Sequence, residues 1–344
     1  MIDFLFTIDY EIFGNGTGTL EEHIHQPARK LLEIFRKWNA KMVIYVEPLE
    51  LEKIEEYGTD PAIGQVRSQI KEAFAQGFEI GLHLHPQWFN AVHQNGRWLL
   101  DYSEYNVCKL PRERIARIFD RAINYLRSVL DQPDYNPVSF RAGNWLFQPT
   151  AVAAGVLEQN GIRIDSSVFK GGRQHAHGLD YRRAPARDYY WTFRDDVTKP
   201  AVDGPLIEVP IYTRLVPTWK MATAKRIRTQ KSARSQSNDS RRRFDRLRDL
   251  MRWSYPLKLD FCRMAPDELV NMMEQVIRDD HATPESYKPI VAIGHTKDLV
   301  DFETVDIFLS YLRSNNIGIT DFGGALPRLS SSANLQSRVE AARC

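Results

Sequence analysis

The chain has 344 residues, 43% of them hydrophobic and 26% charged, and a formal net charge of only +2. That balance gives an ordinary globular chain with enough length for a large core, and the absence of any run of about 18 apolar residues excludes a membrane span. Cys108, Cys262 and Cys344 are too few and too scattered for a disulfide framework or a zinc ribbon.

The chain opens on Phe4-Leu5-Phe6-Thr7-Ile8, an apolar run that predicts a buried strand, followed by Asp9 and Glu11. Positions two apart share a strand face, so both acids are expected to project together, beside the loop at Gly14-Asn15-Gly16. Nothing at this start has the basic and apolar regions of a signal peptide, and a cytoplasmic location is expected. Leu31 to Trp38 carries a helical apolar stripe, and Lys41 to Val46 reads as a second buried strand. A polar segment then leads to a helix near Val66 to Gln76, stopped by Gly77. Phe78 to His85 is the third strand, broken by Pro86.

A helix from Arg112 to Leu130 precedes the strand Pro137 to Arg141; the helix Val152 to Gln159 precedes the strand Ile162 to Asp165. Leu206 to Ile211 is a further strand. The helix around Glu268 to Arg278 leads to Ile290 to His295, and the helix Val305 to Arg313 leads to the last strand, Gly318 to Phe322. Repeated β–α alternation predicts a parallel sheet in an α/β barrel or wound sheet. Strands ending in Asp9, Glu47, His85, Arg141, Asp165, His295 and Asp321 suggest the polar rim of a barrel. The glycines after Glu11 lack the spacing of a phosphate-cradling loop, which excludes a nucleotide fold.

His83 and His85 again lie two apart on a strand, a spacing suited to a divalent metal. With Asp9 and Glu11 they offer a two-histidine, carboxylate set with positions open for water. His23 and His25 have the same spacing but fall in a loop-to-helix segment, where such residues diverge.

Five stretches together resemble the polysaccharide deacetylase (NodB-homology) family. They are Thr7-Ile8-Asp9-Tyr10-Glu11, Glu79 to Pro86, Phe140-Arg141-Ala142-Gly143, Ile164-Asp165-Ser166-Ser167 and Ile293-Gly294-His295, spread over about residues 1–325. The resemblance implies a distorted (β/α)7 barrel and a metal-dependent hydrolase that removes acetyl groups from amino sugars. It implies Asp9 as catalytic base, His83 as a metal ligand and Arg141 as the holder of the base. Asp165 would orient His295, the general acid, and keep it charged. The pattern departs at three points: Tyr10 stands where a second aspartate is usual, Gln87 where the second histidine is usual, and the arginine motif lacks its proline. Glu11 and His85 are therefore expected to complete the metal set, with zinc the expected ion.

Trp88 and Trp145 follow the site strands and are expected to stack on sugar faces. Between Lys220 and Arg252 twelve Lys/Arg face three Asp/Glu. This insertion, about 220–253, includes a basic amphipathic stretch expected to pack on the barrel or to touch an anionic membrane peripherally. No specific nucleic-acid binding is expected. Residues 326–344 are expected to form a disordered tail. Two other functions compete with a carbohydrate N-deacetylase: a glycosidase using the rim carboxylates, and a non-catalytic carbohydrate-binding or envelope-biosynthesis protein on an altered barrel.

Overall fold

The computed structural model describes residues 1–217 and 254–341, with side chains as far as residue 331. The basic stretch 220–252 lies outside the described residues.

The first strand, Ile2–Tyr10, sits at the middle of the sheet. It pairs in parallel with Val43–Val46 on one side and with Lys288–His295 on the other, putting Asp9 opposite Tyr45 and His295. Glu79–Leu84, Ser139–Ala142, Ile164–Asp165 and Leu206–Glu208 continue the parallel order beyond Val43–Val46. The chain after Leu206–Glu208 then meets Lys288–His295 through a parallel bridge between Ile211 and Val291. Seven parallel strands thus curl until their two ends touch, a distorted (β/α)7 barrel. Such strands are covered on both faces, which explains why Phe4, Leu5, Phe6 and Ile8, with only Thr7 among them, are apolar and all at 0% exposure. Phe6 anchors the interior, edge-on to Phe35 at 5.0 Å and to Phe261 at 5.4 Å.

The expected helices are present as Gln26–Lys37, Ile63–Ala75, Arg112–Leu130, Ala151–Gln159, Pro266–Ala282 and Phe302–Ser314. One further helix, Pro48–Tyr57, fills the segment expected to be irregular. Its start is set by Glu47, whose carboxylate accepts from Leu49 N at 3.1 Å, and by Pro48 in the first turn; Gly58, at φ 58°, stops it. A short antiparallel strand, Trp191–Phe193, joins the sheet edge. A hairpin of Thr213–Pro217 and Ser254–Lys258 carries the basic insertion between its arms.

Two expectations need correction. The last strand, Gly318–Ile319, pairs with Asp3 and Phe4, so Asp321 lies at the opposite end of the barrel from Asp9. There its carboxylate accepts from Gly324 N at 2.8 Å, at the start of a helix. That helix, Phe322–Ala341, occupies most of the stretch expected to be a disordered tail, and Leu329 on it is buried.

Candidate active site and metal centre

Asp9 ends the first strand and is 2% exposed. Arg141, on the strand three places away and wholly buried, donates through Nη1 to Asp9 Oδ1 at 2.7 Å. Its other nitrogens are taken by Thr7 Oγ1 at 2.8 Å and Ser166 O at 3.0 Å, and its plane lies 4.3 Å from the Tyr45 ring centre. The guanidinium is therefore held on every side and in turn fixes Asp9. Burial alone would raise the Asp9 carboxyl, but Arg141, then His83 and His295, outweigh it and hold it below the usual range.

Glu11 follows two residues further toward the rim, also buried. Its Oε2 is 2.8 Å from His85 Nε2 and 3.3 Å from His83 Nε2, and its Oε1 accepts from Lys297 Nζ at 2.7 Å. Burial opposes ionisation of Glu11 too, yet Lys297 and the two histidines hold it well below the ordinary value. His83 is turned by its other ring nitrogen, 2.9 Å from Arg141 O. For His85 the same service comes from the amide groups of Gln87 and Asn144, 3.2 and 3.3 Å from Nδ1. Gln87 thus supports His85 from behind instead of replacing it.

Beneath the pair lie two buried glutamates. Glu47 accepts from His85 N, and Glu50 from Ile12 N at 2.8 Å. Burial lifts Glu47 to about 8 and Glu50 well above its ordinary value, so both enter as neutral props for the backbone of the ligand-bearing segments.

These residues fit a divalent ion. One oxygen of Glu11 and one nitrogen each of His83 and His85 lie within 4.8 Å of one another, and all three side chains are buried. Gln87 Oε1 is buried with no hydrogen-bond partner among the described residues, and His85 Nε2 faces only the Glu11 carboxylate, at 2.8 Å. Turning the Gln87 amide over would set Oε1 against Nδ1, fixing the proton there and leaving the Nε2 lone pair for an ion. For His83, burial disfavours the charged ring, but Asp9 and Glu11 outweigh it and lift the ring to about 9. The cluster draws positive charge onto His83 Nε2, where an ion would supply it.

His295 closes the group. Its Nε2 is 3.4 Å from Asp9 Oδ2, and its Nδ1 is 3.5 Å from Asp298 Oδ2. The structure does not bring Asp165 to His295. Asp165 accepts from Ser167 Oγ at 2.7 Å and shares a buried hydrogen bond with Glu208 on the neighbouring strand. Nor is His295 held charged: burial brings it down to about 4, against the opposing pull of Asp9 and Asp298. Trp88 is also removed from the substrate-facing set. It is 0% exposed and packs edge-on against Trp98 at 5.0 Å, as a core residue. Trp145 is half-buried and edge-on to the His295 ring at 6.2 Å, so it stays beside the site.

Sequence reasoning missed Lys297 and Asp298, two and three residues past His295, and Lys258. The first two share a tight turn with His295, a proximity that was legible. Lys258 reaches the site only through the hairpin.

The solved structures give the fold a setting. A putative polysaccharide deacetylase from Mycobacterium smegmatis matches with a TM-score of 0.55 and 13% identity, over 96% of this chain and 91% of that one. A 4-alpha-glucanotransferase from Thermococcus litoralis matches with a TM-score of 0.51 and 12% identity, over 95% of this chain but 38% of that one. A probable polysaccharide deacetylase from Pseudomonas aeruginosa PAO1 gives 0.47 and 12%, over 94% and 89%. No protein-family model and no curated protein matches the sequence. The chain has the fold of the polysaccharide deacetylases.

Proposed function

We propose that the protein is a metal-dependent hydrolase that removes an acyl group from an N-acylated amino sugar. The observation that carries this reading is one buried cluster at the C-terminal rim of the barrel. It joins an arginine-held carboxylate, a glutamate facing two histidines, and a third histidine within reach of the carboxylate.

Glu11, His83 and His85 would hold the ion, with zinc suited to that donor set, and it would supply Lewis-acid activation of water near neutral pH. Asp9, kept ionised by Arg141, takes the proton from the attacking water. His295 is neutral at rest, so it lacks the second ring proton that a general acid would give up, and with Nδ1–H toward Asp298 its Nε2 is free to accept one. The 3.4 Å between Asp9 Oδ2 and His295 Nε2 gives a direct path from base to ring, after which Nε2 protonates the leaving amine. Asp298 behind Nδ1 favours the ring while it carries that proton. Lys297 pins Glu11 Oε1 and leaves Oε2 toward the histidines.

A glycosidase is disfavoured by the same electrostatics. It needs one carboxylic acid kept protonated to serve the leaving oxygen, whereas Asp9 and Glu11 are both held below their usual values. The test is acetate release from N-acetylated sugars, with and without chelator, for wild type and His295→Ala. Chelation should stop release, and the variant should lose roughly 10²–10⁴-fold in kcat. Chelator-resistant release, or a variant at wild-type turnover, would overturn the assignment.

A further inference from the structure

A cation that the proposed reaction does not use stands beside the reacting centre. Lys258 ends the hairpin arm Ser254–Lys258, and the residues after it join the seam of the barrel. Leu259 N donates to Tyr212 O at 2.8 Å, and Phe261 N to Ile293 O at 3.1 Å. Trp145 comes from another part of the barrel, the turn after Ser139–Ala142. The two side chains meet, with the Lys258 ammonium 3.0 Å from the centre of the Trp145 ring and 4.8 Å from that of Phe169. Trp145 in turn is edge-on to His295 at 6.2 Å. Lys258 lies near enough to the centre for Asp9 and Arg141 both to act on its charge.

The platform under this ammonium is firmly set. Asn144 and Trp145 are both left-handed, at φ 53° and 60°, a backbone that a residue as bulky as tryptophan rarely adopts. Tyr181 holds the turn there by donating from its hydroxyl to Trp145 O at 2.6 Å, and Gln174 Nε2 donates to Asn144 O at 3.1 Å. Gly143 closes the turn against the site, since a Cβ there would stand 2.8 Å from the His85 ring. The indole is thus fixed, and one of its faces carries a cation where a sugar ring would otherwise stack. Lys258 is half-buried, and no hydrogen bond or ion pair among the described residues engages its ammonium. Asp260 turns to the backbone instead, accepting from Cys262 N and Arg263 N, both at 3.1 Å, while Asp9 is taken by Arg141 and faces His295. Burial prevails over the pull of Asp260 and Asp9 and, with Arg263 and Arg141 on its side, brings Lys258 down to about 7.

We propose that Lys258 receives a carboxylate of the substrate, so that the acylated amino sugar taken by this site is itself an acid. This rests on the site being one for acylated sugars. The ammonium has N–H groups free for an acceptor, and it stands on the wall of the centre where a bound sugar must pass. A single ammonium with Asp9 and Asp260 in its surroundings suits one negative charge. A phosphate dianion would bring a second charge with nothing to balance it.

The test is equilibrium binding to the full-length protein by calorimetry at pH 6 and pH 9, with acetate release followed separately. The probes are neutral N-acetylglucosamine, its 6-phosphate, and three acids that carry the carboxylate at different positions: N-acetylglucosaminuronic acid, N-acetylmuramic acid and N-acetylneuraminic acid. At pH 6 at least one acid should bind about tenfold or more tighter than the neutral sugar, since a charge-assisted hydrogen bond is being added. At pH 9 that preference should vanish, because Lys258 has lost its proton while the sugar carboxylate is ionised at both values. Asp260, raised by burial to about 6, ionises over the same range and repels the carboxylate as well, so the pH effect is read against Lys258→Met. That variant keeps a stem over Trp145 without the charge, and it should bring the acids to the affinity that wild type shows for the neutral sugar. A thermal melt checks that it folds; if it does not, the pH series on wild type decides. Equal affinity for neutral and acidic sugars at pH 6, a preference that Lys258→Met retains, or tighter binding of the 6-phosphate than of every acid would overturn the proposal. If wild type prefers an acid yet releases no acetate from any probe, the hydrolase reading fails while the carboxylate site stands.

Discussion

At the start of the first strand Asp3 is bound by Arg328 and by the Tyr287 hydroxyl at 3.0 Å; at its end Asp9 is bound by Arg141 at 2.7 Å. Both are arginine–aspartate pairs on one strand, yet they differ in what surrounds them. Arg328 is 50% exposed, and other charged groups of that rim have close partners. Glu79 there accepts from Ser139 Oγ at 2.7 Å and Gly323 N at 2.8 Å, and Lys288 donates to Thr283 O at 2.6 Å. Arg141 is 0% exposed, and around its partner four further ionisable side chains, Glu11, His83, His85 and His295, crowd together in burial, with Gln87 Oε1 lacking a hydrogen-bond partner among the described residues. A native fold rarely leaves such an atom without a reason. The lower rim holds the barrel together, and the upper rim gathers its charged groups around the proposed ion site.

The strongest way to break this contrast is to remove a proposed ligand. Wild type should hold about one divalent ion per chain, whereas His83→Ala should hold almost none and lose all turnover. Elemental analysis decides it; equal content in both proteins would make the upper rim as self-sufficient as the lower.

Next in size is the effect at Asp9. Asp9→Asn keeps the shape and removes the base, so kcat should fall roughly 10²–10⁴-fold while the ion stays bound through Glu11, His83 and His85. Asp3→Asn, the matching change at the other end of the strand, should leave kcat unaltered. Steady-state kinetics beside an ion assay tests both, and parallel losses would erase the distinction.

The two rims were unequally legible. The alternation of apolar runs and helical stripes located the seven parallel strands, and the i, i+2 spacing put Asp9 with Glu11 and His83 with His85 on shared faces. The pairing of Asp165 with His295, implied by the family resemblance, does not hold in this chain: Asp165 turns toward Ser167 and Glu208, and Asp298 arrives from the turn after His295. Trp88 was misplaced because position after a strand does not say which way a side chain faces. Asp321 failed for a different reason: the last strand pairs with the beginning of the first, so its polar end lies at the lower rim. The Pro48–Tyr57 helix had readable signals in Glu47, Pro48 and Gly58, masked by its weak apolar stripe.

A smaller effect sharpens the contrast from the structural side. Burial raises Glu79 from its ordinary 4.5 to about 7, ahead of the opposing bonds from Ser139 and Gly323. The folded state then keeps a proton that the unfolded chain has released, so this group's contribution to stability falls as pH rises from 4.5 to about 7 and levels beyond. Relative to Glu79→Gln, wild type should lose about 2–3 kcal/mol between pH 4.5 and 8. Urea melts of both proteins at the two pH values measure the difference; parallel pH dependences would show that Glu79 is not held neutral.

The smallest effect belongs to Arg328. Removing it by Arg328→Ala deletes an ion pair whose cation is half in water, a setting in which such pairs contribute about 1 kcal/mol or less. Asp3 would keep the Tyr287 hydroxyl at 3.0 Å, so its carboxylate would not be stranded. Arg141→Ala differs in kind. It would leave Asp9 ionised at 2% exposure without its strongest partner, a situation that costs roughly 3–5 kcal/mol, and would free the base to turn away from the water it must deprotonate. Urea melts and acetate release on the two variants therefore separate the rims in both stability and turnover. Arg328→Ala should sit within about 1 kcal/mol of wild type with full turnover. A loss of turnover there would mean that the lower pair steers the site through the first strand, and the division between the two rims would fall.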